Sequence, residues 1–135
     1  MAFITWNDSY NVHVREIDHQ RQKLVGLLNG IHDAMALGRG KDVIDSIIDG
    51  LLAYTQTHFA TEEKYFELYQ YPGAPEHIRE HNDFVKRVLE FKVEADKGRQ
   101  GLSIEVMLFL KDWLLKHIKG SDMQYGPFFN QHGLG

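Results

Sequence analysis

The chain reads as an all-α protein, an up-down-up-down four-helix bundle with an N-terminal arm and a short C-terminal tail. Three observations predict this: a length of 135 residues, Gly- and Pro-containing breaks that leave four long segments, and apolar residues recurring every three or four positions within each. No segment alternates as a strand does. The breaks fall at Gly38-Arg39-Gly40, Tyr71 to Pro75 and Gly98 to Gly101. Connections this short make successive helices antiparallel neighbours. One domain is expected over 1–135, with the arm at 1–16, the helices at about 17–119 and the tail at 120–135.

In the first segment the core stripe runs Ile17, position 21, Leu24, Leu28, Ile31 and Met35. The second runs Ile44, Ile47, Leu51, position 55, His58, Glu62, Phe66 and Tyr69. In the third it is His77, His81, Phe84, Val88, Phe91 and Ala95, with Pro75 suited to the first helical turn. The fourth runs Ile104, Met107, Leu110, Leu114 and His117.

Composition narrows the chemistry. Hydrophobic residues at 43% and charged residues at 25% suit a folded soluble domain and exclude extended disorder. The net charge of -4, with scattered basic residues, gives no footprint for nucleic acid or an anionic membrane. No apolar run approaches the roughly 20 residues of a membrane helix, and Met1 to Trp6 lacks the basic start of a secretion signal, so a cytoplasmic location is expected. The absence of cysteine excludes disulfides, iron-sulfur clusters and zinc-thiolate sites. A transition metal would have to be held by nitrogen and oxygen.

Metal-competent side chains interrupt the apolar stripes at His58, Glu62, His77, His81 and His117. Burying them without partners is expensive. His58 with Glu62, and His77 with His81, are i, i+4 pairs that each share one helix face. His117 and Asp122 are five apart and diverge on a regular helix, but one that loosens at Gly120 would turn Asp122 inward. In an antiparallel bundle all of these positions, and position 21, lie at the same end. A lone core histidine is usually just hydrogen-bonded. Four at one depth with two carboxylates point to a metal; imidazole with carboxylate suits iron, zinc, copper or nickel, the sharing of two carboxylates among four histidines suggests a dinuclear site with bridging oxygens, and iron is favoured. Ferritin-like di-iron bundles use Glu-x-x-His motifs on two helices, a pattern not expected here, and that family is disfavoured. His13, His19, His32 and His132 lie off those stripes and are expected at the surface.

Trp6-Asn7-Asp8-Ser9, Ile17-Asp18, His58-Phe59-Ala60-Thr61-Glu62-Glu63, His77-Ile78-Arg79-Glu80-His81 and the run from Trp113 to Asp122 together resemble the hemerythrin family in its bacterial single-domain form. The resemblance covers nearly the whole chain. It implies that His77, His81 and His117 bind one iron, that His58 binds a second, and that Glu62 and Asp122 bridge the pair alongside an oxo or hydroxo group. It also implies reversible binding of O2 or small anions at the second iron without turnover, behind an apolar wall formed by Leu114, Ile118 and Trp113.

One departure stands out. The family places its first histidine ligand three residues after the Asp of Ile-Asp, and that position here is Arg21. A guanidinium keeps its proton and offers no lone pair to a metal. His19 is about 200° round the helix from Arg21 and points away. Three outcomes are open: two irons with one under-coordinated, a single iron on the three-histidine side, or no functional site, the first being favoured. Arg21 itself would either direct its charge to solvent or pair with a carboxylate or anion. The leading reading is a binding protein for O2 serving storage, delivery or sensing. A weak di-iron peroxidase or oxidase, and an iron-binding bundle without reversible O2 binding, are the alternatives.

Overall fold

A computed structural model describes residues 4–135. Its helices are α1 (Arg15–Ala36), α2 (Gly40–Tyr69), α3 (Ala74–Asp96), α4 (Leu102–Trp113) and α5 (Asp122–Gln131), with a π-helical segment, Leu114–Ser121, joining the last two. Backbone angles stay right-handed helical through both junctions, so α4, the π segment and α5 form one continuous rod. Four rods therefore build the bundle, as the segmentation anticipated. Among the described residues there is no strand, and no helix is long and apolar enough to cross a membrane.

The turns follow from local chemistry. Gly38 and Gly98 take positive φ after α1 and α3, where an L side chain is disfavoured. The end of α2 uses Gln70 in the same left-handed region, closed by the Tyr71 N–H donating to the Phe66 carbonyl at 2.9 Å, and Pro72 bars continuation. Pro75 sits in the first turn of α3, where its missing N–H costs nothing.

Packing divides into two apolar clusters. The larger fills the bundle with Leu28, Ile48, Leu51, Val88, Phe91, Val106 and Leu110 among others. A smaller one caps one end with Val12, Val14, Ile17, Phe66, Tyr125 and Phe129. The buried polar residues lie between them in the chain's order along each rod, as His58 and Glu62 do between Leu51 and Phe66.

Two expectations change. The core face of the fourth rod is Leu102, Val106, Leu110, Leu114 and Ile118, whereas Ile104 is 52% exposed and Met107 only half-buried. Stepping back by threes from Leu110 rotates about 60° per step away from the core, while the observed face advances by fours. The segment expected as a tail, 120–135, is helical from Asp122 to Gln131. Tyr125 and Phe129 give it an apolar face, and Gly126 lets it lie against the arm.

Gly126 supplies a direct test of that docking. A Cβ there would meet the Val12 carbonyl oxygen at 2.9 Å, and backbone cannot step aside as a side-chain tip can. Gly126→Ala is expected to destabilise by about 1–3 kcal/mol in thermal or urea melts. Gly26→Ala, on the exposed face of α1 with open space at its Cβ, should instead stabilise by up to about 1 kcal/mol. Equal effects at the two positions would contradict tight docking of α5 on the arm.

Candidate metal centre

The polar residues that interrupt the stripes converge. His58 and Glu62 come from α2, His77 and His81 from α3, His117 from the π segment and Asp122 from the first turn of α5; all six are buried. His58 Nε2 lies 2.9 Å from Glu62 Oε1, and His81 Nε2 lies 3.2 Å from the same oxygen. Asp122 Oδ1 is 2.8 Å from His77 Nε2 and 3.0 Å from His117 Nε2.

The π segment is what aligns His117 with Asp122. The Asp122 N–H reaches back to the His117 carbonyl, an i to i+5 bond, and the wider turn brings residues five apart onto one face. The loosening expected at Gly120 takes the form of a π turn: the helix widens over Leu114–Ser121 and stays continuous.

The outward edge of three rings is anchored. His58 Nδ1 meets Gln20 Oε1 at 3.1 Å, His81 Nδ1 meets Glu63 Oε2 at 3.2 Å, and His117 Nδ1 meets Glu80 Oε1 at 3.0 Å, with Ser121 Oγ donating to the same Glu80 oxygen at 2.8 Å. Each of those partners is an acceptor, so in a neutral ring the proton belongs on Nδ1 and the Nε2 lone pair points inward. Aromatic faces hold the rings from the side. Phe59 stacks on His81 at 3.8 Å between centroids, Trp113 on His117 at 3.9 Å and Tyr54 on His58 at 4.9 Å.

Lone pairs of nitrogen therefore face lone pairs of carboxylate oxygen. The Nε2 atoms of all four histidines and both oxygens of Glu62 and Asp122 are buried without a hydrogen bond. Only a cation or added protons can hold such an arrangement together. The spacing suits a metal: two ligands at right angles, each about 2.1 Å from an ion, stand about 3.0 Å apart. Two groups could each hold an ion, Glu62 with His77, His81 and His117, and His58 with Glu62 and Asp122; within each, the donor atoms lie within 4.8 Å of one another. Glu62 is common to both.

Arg21 enters this constellation from α1 and is fully buried. Its Nε pairs with Asp122 Oδ2 at 3.2 Å and its NH1 with Asp18 Oδ1 at 3.2 Å, while the carbonyls of Tyr10 and Ile118 accept from the two terminal nitrogens. Of the two expectations for this side chain, the carboxylate pairing is the one observed. Burial works to lower its pKa, but Asp122 first, then Tyr125, Glu62 and Tyr54, outweigh that and hold it above the ordinary value. His19 is exposed, as its angular position implied. The chain does contain one Glu-x-x-His run, Glu16 to His19, and it lies on the exposed face of α1, where Glu16 instead accepts from the Tyr65 hydroxyl at 2.8 Å.

Several participants escaped the sequence reading. Gln20, Glu63 and Glu80 anchor rings, and their one signal is that each adjoins a core-stripe polar position. Tyr54 and Tyr125 are buried, one turn before His58 and nearly one turn after Asp122. Burial raises both phenols well above the ordinary range, and the charges of Glu62 and Asp122 add to it. As aromatic residues on a helix face they look like core. Leu114 and Ile118 are buried in the main apolar cluster and Trp113 packs against it half-buried.

Titration of the metal-free protein follows from the same contacts. Burial disfavours charged His117, yet Asp122, Glu62 and Glu80 prevail and raise its pKa from 6.5 to about 9. Its stabilising protonation is complete below pH 6.5 and is lost as pH rises through about 9. For Asp122, burial and the Glu62 charge act upward, but His117 and His77 bring it down from 3.8 to about 2; its contribution is present above 3.8 and is lost as pH falls through about 2. Melting temperatures measured in chelator should therefore decline from pH 6.5 to 9, and His117→Gln should flatten that decline. A flat profile for the unaltered chain over this range would contradict it.

Comparison with known proteins agrees with this geometry. Residues 12–129 match the family described as the hemerythrin HHE cation binding domain. A bacteriohemerythrin of Stenotrophomonas maltophilia is 33% identical over 132 residues, spanning 98% of this chain and 85% of that protein. One from Methylococcus capsulatus is 28% identical over 128 residues, spanning 94% and 97%. A crystal structure of a hemerythrin variant superposes with a TM-score of 0.83 at 27% identity, covering 94% of this chain and 97% of the other. With its bundle, its converging imidazoles and carboxylates, and a match across nearly its whole length, the chain belongs to the hemerythrin family.

Proposed function

We propose that this protein is a non-haem iron protein that binds O2 or a small anion reversibly, at a metal centre whose second position is altered by Arg21. The observation that carries the reading is the set of buried, inward-facing Nε2 and carboxylate lone pairs with no hydrogen bond of their own. His77, His81 and His117, with Glu62 and Asp122, would hold one iron; His58, Glu62 and Asp122 are what remains for a second. Iron held by these residues would supply the reversible redox chemistry that O2 binding needs.

The chain's own residues have separable tasks. Gln20, Glu63 and Glu80 orient rings through Nδ1, and Trp113, Phe59 and Tyr54 fix their tilt. Leu114, Ile118 and Trp113 would form the apolar wall that limits water. A cleft of about 160 Å³ between α1 and α2, lined by Gln20, Lys23, Gly50, Tyr54 and His58 among others, offers small ligands a path to the His58 side. Lys23 there favours anions.

Electrostatics make the two metal positions unequal. Unit charges 4 Å apart interact by about 4 kcal/mol at an effective dielectric of about 20, so a divalent ion at that distance from Arg21 meets roughly twice that repulsion. The first position keeps three histidines and the second keeps one. The reading is of a cytoplasmic single-domain binding protein, not an enzyme.

Two measurements test it. Metal-free chain loaded anaerobically with ferrous iron should develop a visible absorption band with O2 that disappears under argon, over repeated cycles. Oxidation on first exposure to air, with no reversible band, would count against O2 binding. Glu80→Gln, which weakens the hold on His117 Nδ1, should lower iron affinity about 10- to 100-fold in chelator competition. Unchanged affinity would remove Glu80 from the site's support.

A further inference from the structure

Arg21 has no freedom to withdraw from the cluster. Its guanidinium is tied to four groups on four elements: the Tyr10 carbonyl of the arm, Asp18 of its own helix, the Ile118 carbonyl of the π segment, and Asp122 at the start of α5. Asp18 is itself fixed by the Val12 N–H at 2.7 Å, and the Trp6 ring lies 5.7 Å from the guanidinium carbon. Lone pairs of Asp122 are thereby divided. Oδ1 faces His77 and His117, and Oδ2 faces Arg21.

We infer that the Arg21 guanidinium takes the place of the second metal ion, making this a one-metal site: His77, His81, His117, Glu62 and Asp122 Oδ1 hold a divalent cation, and Arg21 neutralises Asp122 Oδ2. The inference rests on the reading of the cluster as a metal centre. It goes further by fixing the count and giving Arg21 a role. A metal entering at His58 would need Asp122 Oδ2, which means displacing a buried cation that has no exit to water. His58 then completes the network as an imidazole facing Glu62 at 2.9 Å, stacked on Tyr54. The same ties make Arg21 a pin that joins the arm, α1 and the last rod before any metal arrives.

Metal counting decides the matter. The full-length metal-free chain is titrated with ferrous iron under anaerobic conditions, and separately with zinc, and bound metal is counted by elemental analysis after desalting. One metal per chain is expected for the unaltered protein and two for Arg21→His. Two metals on the unaltered chain, or one on both, would overturn the inference and leave the metal-centre reading standing. No metal on either would remove both. Should Arg21→His fail to fold, Arg21→Met provides an independent reading, because it removes the charge and adds no ligand. Its metal-free form should melt roughly 10 °C below the unaltered chain, and zinc should raise its melting temperature by more than it raises that of the unaltered chain. A metal-free Met variant as stable as the original would also overturn the inference.

Discussion

Everything in this structure is arranged around a concentration of lone pairs in a place without water. Two carboxylates and four imidazole nitrogens meet inside a helical bundle, and apart from Asp122 Oδ2, which faces Arg21, they are acceptors facing other acceptors. Left alone, that arrangement repels itself in a medium that screens poorly. Positive charge is therefore a structural requirement here. Protons, a metal ion and the guanidinium of Arg21 are the three available forms of it, and the raised pKa of His117 records the first of these at work.

The surroundings serve that requirement by removing choice from each ring. An acceptor behind Nδ1 and an aromatic face alongside leave His58, His81 and His117 one orientation. The end-cap cluster of Phe66, Tyr125 and Phe129 seals the far side, with Phe66 edge-on to His77 at 4.9 Å. Two apolar regions thus hold one polar layer between them. The arm belongs to this seal, since Val12 and Val14 complete the cap and the Ile4 backbone is clasped by Asn29 on α1.

Much of this was legible from spacing. Four helical rods, and the convergence of His58, Glu62, His77, His81 and His117, follow from period and topology, because a stripe and a direction together place a residue in three dimensions. Asp122 needed more. A five-residue interval names a π turn only once its i to i+5 bonds are seen, and the spacing alone pointed only to a helix loosened near Gly120. Arg21 could be placed on the core stripe but its partners could not, since its carbonyl acceptors come from Tyr10 and Ile118, distant in sequence and silent in side-chain pattern. Tyr54 and Tyr125 were invisible for the opposite reason: nothing distinguishes a buried phenol beside a carboxylate from one that merely packs. Reading Ile104 as core failed because a stripe extended by threes drifts off the buried face.

The π segment carries one more implication, which concerns insertion and deletion. Each residue in a regular helix turns the chain by about 100°, and the π turn spreads a similar sweep over one more residue, so removing one residue between His117 and Asp122 would restore ordinary winding with the two side chains four apart and still on one face. Asp122, Tyr125 and Phe129 would keep their bearing, and the polar layer and its apolar lid would stay in register. A one-residue deletion elsewhere in this rod has no such relief and would turn everything beyond it by about 100°, so Leu114–Ser121 is the stretch of the rod best able to absorb the loss of a residue.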